Sequence, residues 1–106
     1  MAFDQIESAA EFENAKKNNA SCVVIFSAAW SQLSEQTKSI FQRNASQYPS
    51  TYIGWLEIDL NSDLVAIYKV TAIPHVIGFK NGKEINKFIG PMILDSQAKS
   101  FIEETQ

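Results

Sequence analysis

The sequence is nearly without cysteine. One thiol, Cys22, stands among 106 residues, so no disulfide can form within the chain. Histidine is also single, and no cluster of Cys or acidic residues gathers around His75 to complete a metal site. The four glycines are never clustered, which excludes a phosphate-cradling loop. Basic residues are in deficit, with nine Lys and Arg against twelve Asp and Glu and a net charge of −3. That balance argues against nucleic acid or an anionic lipid surface as partner. No apolar run approaches the length of a membrane span. The start, Met1-Ala2-Phe3-Asp4, carries no basic leader. The expectation is a cytoplasmic protein with no membrane attachment, no metal and no cofactor. Asn19-Ala20-Ser21 and Asn44-Ala45-Ser46 fit the glycosylation pattern, but without a secretory route they read as chance.

What is present is an ordinary globular balance, 45% hydrophobic and 20% charged. The length suits one domain, 1–106, with a core of its own. Phe3 to Ile6 reads as a short strand. Ser8-Ala9-Ala10-Glu11 is a capping box opening a helix to about Asn18, anchored by Phe12. Cys22 to Phe26 is an unbroken apolar run, the pattern of a strand covered on both faces. From Ser31 to Tyr48 the large apolar residues Leu33, Ile40, Phe41 and Tyr48 mark a helical stripe, which Pro49 ends. Tyr52 to Ile58 is the next strand, and strand–helix–strand implies a right-handed crossover. Asn61 or Ser62 caps a short helix carrying Leu64, Ile67 and Tyr68.

His75 to Phe79 and Glu84 to Ile89 flank Asn81-Gly82, a dipeptide suited to a type I′ turn. An antiparallel hairpin follows, with Lys83 and Lys87 guarding an edge strand. The last helix places Leu94, Ala98, Phe101 and Ile102 on one face, with Asp95 near its start. The order βαβαβαββα is an α/β architecture, a mixed sheet between helices. Lys16-Lys17, Lys80, Lys83 and Lys87 read as solvated faces.

Several phrases, in order and at fixed spacing, carry a resemblance: Phe26-Ser27-Ala28-Ala29-Trp30, Ile58-Asp59, Tyr68-Lys69-Val70, Ala72-Ile73-Pro74, Phe79-Lys80-Asn81-Gly82 and Ile89-Gly90. Together they resemble the thioredoxin family over nearly the whole chain. The resemblance implies a thioredoxin fold, a mixed central sheet of about five strands flanked by about four helices. It also implies a cis peptide bond at Pro74, lying against the motif that follows Trp30. In that family the motif is Trp-Cys-Gly-Pro-Cys. Here Ser31 and Ser34 replace both cysteines, and Gln32-Leu33 replaces Gly-Pro. Disulfide exchange needs a thiolate. A serine hydroxyl stays protonated near neutral pH and forms no mixed disulfide, so neither Ser31 nor Ser34 is catalytic. The family's buried Asp, six residues before the first cysteine, maps to Ile25. Its partner Lys maps to Trp55, and the helix-kinking Pro maps to Ser39.

The losses point to a redox-inactive relative that binds protein or peptide. The alternative is an oxidoreductase whose two cysteines were replaced by serine. A third reading is a structural or oligomerisation subunit that uses its surface elsewhere. Ser31 and Ser34 serve as helix caps or touch a ligand. Cys22 reads as a small core hydrophobe. His75 either contacts a partner or fills the sheet. Glu57 and Asp59, on one strand face, read as a solvated strand end. The resemblance assigns peptide or partner binding to Trp30, Ile73, Pro74, His75 and Gly90, an apolar groove in which an extended segment hydrogen-bonds the backbone of Ile73. The partner and the oligomeric state stay open.

Overall fold

The computed structural model describes residues 3–106. Five strands form one sheet: β1 (Phe3–Gln5), β2 (Ser21–Ser27), β3 (Thr51–Glu57), β4 (His75–Lys80) and β5 (Lys83–Ile89). Four α-helices flank it: α1 (Ala9–Asn18), α2 (Gln32–Asn44), α3 (Ser62–Ile67) and α4 (Asp95–Glu104). The strand order is β1-β3-β2-β4-β5. The first three strands run parallel and the last two form the antiparallel hairpin. This is the thioredoxin fold expected from the sequence, with β5 and its lysines at an edge.

The apolar run of β2 is buried along its whole length because helices cover both faces. Cys22, Val24 and Phe26 face a layer with Phe12 of α1 and Leu64 of α3. Val23 and Ile25 face the other layer, with Ile40 and Phe41 of α2 and Phe101 and Ile102 of α4. In the first layer Phe12 meets Phe79 edge-on at 5.7 Å between ring centroids, the geometry aromatic quadrupoles favour. Lys16 closes this layer rather than standing in solvent as expected. Its ammonium lies 5.4 Å from the Phe79 ring centroid and donates to the Tyr68 hydroxyl at 2.9 Å. Its four-carbon stem lets the charge reach out while the shaft stays on the aromatics.

Gly78 in β4 is required by packing. A Cβ there would fall 2.3 Å from Thr105 Cγ2 and 3.2 Å from the Phe101 ring. At the hairpin, Asn81 and Gly82 have φ of 54° and 81°, the paired left-handed conformation of a type I′ turn.

Three local expectations need correction. The Ser8 hydroxyl caps α1 by accepting from Glu11 N–H, but the Glu11 carboxylate accepts from Glu7 N–H rather than from Ser8. Asn61 stands at the head of α3 without capping it. Its amide donates to the Glu57 carbonyl instead, while the Asp63 carboxylate takes Leu64 N–H. Leu33, Ile67 and Leu94, expected on buried helical stripes, are 50%, 64% and 61% exposed.

Candidate functional site

β2, β3 and β5 end, and β4 begins, at the same end of the sheet, since Phe26 pairs with His75 and His75 with Ile89. The β2–α2, β3–α3–β4 and β5–α4 connections therefore meet there. Of the exposed large hydrophobic side chains, all but Ile85 lie on these connections or on the element ends beside them. Leu60 and Trp30 are the most exposed of them, at 72% and 70%.

The connections are tied to one another. Trp30 Nε1 donates to Asp59 Oδ2 at 2.8 Å, and Ala29 N–H donates to Glu57 Oε1 at 2.8 Å. Two carboxylates at the end of β3 thus hold the loop that presents Trp30. The solvated-strand-end reading of Glu57 and Asp59 is replaced by a positioning role. The two do not share a strand face, because β3 ends at Glu57 and Asp59 lies in the 3-10 turn Ile58–Leu60 that follows. Gly90 N–H donates to the Pro74 carbonyl at 2.9 Å, joining the β5–α4 loop to the turn before β4. Gly90 adopts φ 105° with nothing near its missing Cβ, so backbone conformation rather than space calls for glycine. The buried Thr37 hydroxyl accepts from Met92 N–H at 2.9 Å, fixing the same loop to α2. Nothing in the sequence pattern singled out Thr37.

Ser31 is the N-cap of α2, its hydroxyl accepting from Ser34 N–H at 3.2 Å. Ser34 is fully buried, and its hydroxyl has no hydrogen-bond partner among the described residues. The Ile73–Pro74 peptide bond is cis. Pro74 is buried and Ile73 half-buried. Among the described residues neither the N–H nor the C=O of Ile73 makes a backbone hydrogen bond. His75 is only 3% exposed, its ring tilted against Phe26 with centroids 6.0 Å apart, and both its ring nitrogens lack partners among the described residues. Burial, reinforced by Lys87, holds its imidazole below the usual histidine pKa and so neutral. Of the residues assigned to binding, Trp30 is exposed, Ile73 and Gly90 are half-buried, and Pro74 and His75 are buried, the imidazole filling the sheet.

Ile25 and Trp55 are directly opposed across β2 and β3. A charge pair sits on α2 beside them: Lys38 Nζ is 3.6 Å from the Trp55 ring centroid and 3.0 Å from Glu35 Oε2. The sole thiol offers no substitute nucleophile, because burial pushes Cys22 up to about 12. Among the described residues no group of three His, Cys, Asp or Glu could hold a metal ion, and no helix is long and apolar enough to cross a membrane.

Comparison with known proteins agrees with this geometry. The Thioredoxin family model matches residues 4–104. Thioredoxin-1 of Saccharomyces cerevisiae is 31% identical over 86 residues, covering 81% of this chain and 84% of the yeast protein. Monothiol glutaredoxin-S17 of Arabidopsis thaliana is 29% identical over 85 residues, 80% of this chain but 17% of the plant protein. The chain therefore spans about a sixth of that relative and most of the yeast one. Among solved structures, Plasmodium falciparum thioredoxin superimposes with a TM-score of 0.88 at 22% identity, covering 97% of this chain and 99% of that one.

Proposed function

This chain belongs to the thioredoxin family, and from that membership we propose that it is a redox-inactive member whose role is to bind an extended peptide or protein segment. The observation that carries the reading is the state of the motif after Trp30. Ser31 is committed to capping α2, Ser34 is sealed beneath it, and the remaining thiol lies buried within β2. Exchange has no nucleophile to start it.

Support for binding comes from what the loops present. Trp30 is exposed yet anchored through its indole N–H, so ordering it costs a partner little. At the same end of the sheet, half-buried Ile73 has a backbone N–H and C=O with no backbone partner among the described residues. An extended segment can satisfy both as a short added strand. The losses at Ile25 and Trp55 favour natural inactivity over a replaced pair of cysteines. Lone Cys22 fits a reducing compartment, and the cytoplasm is the proposed location.

Two measurements test the proposal. Insulin-disulfide reduction with dithiothreitol proceeds no faster with the protein than without it. Capture of partners on the immobilised chain is lost with Trp30→Ala. Catalytic turnover in the first, or undiminished capture in the second, contradicts it.

A further inference from the structure

The β3–α3 connection that fastens Trp30 is predominantly acidic. Glu57, Asp59 and Asp63 lie along the β3–α3 connection, and Lys69 is the sole cation between residues 57 and 74. The ion pairs among the described residues are Lys16–Glu13, Lys38–Glu35 and Arg43–Asp95. Glu57, Asp59 and Asp63 belong to none of them. Each spends one carboxylate oxygen on a local donor: Ala29 N–H for Glu57, the Trp30 indole for Asp59 and Leu64 N–H for Asp63, all at 2.8 Å. Among the described residues the second oxygen of each has no hydrogen-bond or ion-pair partner.

These three acids are therefore already oriented and, among the described residues, paired with no cation, and two of them are fastened to the loop that carries the apolar anchor. An approaching cation meets carboxylates whose side-chain entropy is largely spent. An approaching anion meets repulsion close to Trp30. The apolar surface by itself would accept any hydrophobic segment. The acids restrict which one.

We propose that the occupant of this face is an extended peptide segment bearing an apolar residue against Trp30 and Ile73, with a Lys or Arg beside it that meets Glu57, Asp59 and Asp63. The inference rests on the peptide-binding reading above and adds the chemistry of the partner.

The test uses two short, unstructured, fluorescein-labelled peptides with the same central Leu, flanked in one by Lys and in the other by Glu. Anisotropy titrations with the full chain at low salt give the Lys peptide an affinity about tenfold or more above the Glu peptide. Raising salt to about 0.5 M brings the ratio towards one. The triple variant Glu57→Gln, Asp59→Asn, Asp63→Asn keeps an acceptor oxygen at each position but no charge, and it abolishes the ratio. Circular dichroism confirms that the variant is folded.

Trp30→Ala weakens both peptides and preserves their order. Equal binding of the two peptides by the unaltered chain overturns the charge selection and leaves the peptide-binding reading standing, as does a ratio that survives in the amide variant. Binding of neither peptide overturns both. A salt-sensitive dimer, seen by sedimentation and lost in the amide variant, assigns the face to a second copy and overturns the peptide.

Discussion

Ser31 and Ser34 sit one helical turn apart and stand oppositely in energy. The Ser31 hydroxyl satisfies an N–H at the start of α2 that would otherwise have no partner. Ser31→Ala is expected to cost about 1 kcal/mol in urea denaturation. The Ser34 hydroxyl is buried with nothing to bond, so its desolvation is unrepaid. Ser34→Ala is expected to be neutral, or stabilising by up to about 1 kcal/mol. A substantial loss at Ser34 would mean its hydroxyl has a partner.

His75 adds a pH dependence whose sign follows from its burial. Its folded pKa lies below the unfolded value, chiefly from desolvation and then from Lys87, with Glu84 opposing. Its neutral form is the one compatible with the fold. The stability this supports is complete above about pH 6.5 and is lost as pH falls from there through the depressed folded value. Urea midpoints measured from pH 7.5 down to 5 should fall, and His75→Gln should flatten that slope.

At the scale of elements, α3 ends in a backbone conformation that its residue type does not favour. Lys69 has φ 55°, while its N–H bonds the Ala66 carbonyl and Val70 N–H bonds the Val65 carbonyl. That is a Schellman ending with lysine where glycine is usual. Lys69→Gly is expected to raise stability by about 0.5–1 kcal/mol, read as a higher urea midpoint. Gly78 behaves in the opposite way. Its missing Cβ is the space in which Thr105 and Phe101 approach β4, and Gly78→Ala should cost about 1–3 kcal/mol.

The elements themselves were legible because their apolar patterns have unambiguous causes. The run at β2 needs cover on both faces, and Asn81-Gly82 needs positive φ at two successive residues. The candidate site was legible only where family phrases marked residues that meet at one end of the sheet, Trp30, Ile73, Pro74 and Gly90. Periodicity misplaced Leu33, Ile67 and Leu94. A repeat of 3.6 residues states which side chains share a face, but not whether that face meets the sheet or a partner. Glu57, Asp59 and Thr37 were hidden for another reason: their roles depend on hydrogen bonds to residues 28, 29 and 55 positions away, which local sequence does not reveal.

At the scale of the whole molecule, one sheet divides two apolar layers, and each layer depends on the other through shared strands. Phe12→Ala opens the layer under α1 and Phe41→Ala the layer under α2. Each should cost about 3–5 kcal/mol, a large part of the stability of a domain this size. With one shared sheet, circular dichroism and tryptophan fluorescence should report the same transition in both variants. Transitions that separate would show that the layers unfold independently.

Cys22 has a last consequence, for how the molecule could be watched. Its sulfur is fully buried, and burial raises its pKa to about 12, so the thiol is chemically silent until β2 comes away from its neighbours. The protein therefore carries a built-in clock. An aromatic disulfide reagent should label it at the rate of an unstructured thiol multiplied by the fraction of molecules open at any instant. Followed across a urea series, that rate should extrapolate to the free energy found from equilibrium unfolding if opening is global. A faster rate in water would reveal a partial opening that frees the central strand while most of the fold endures.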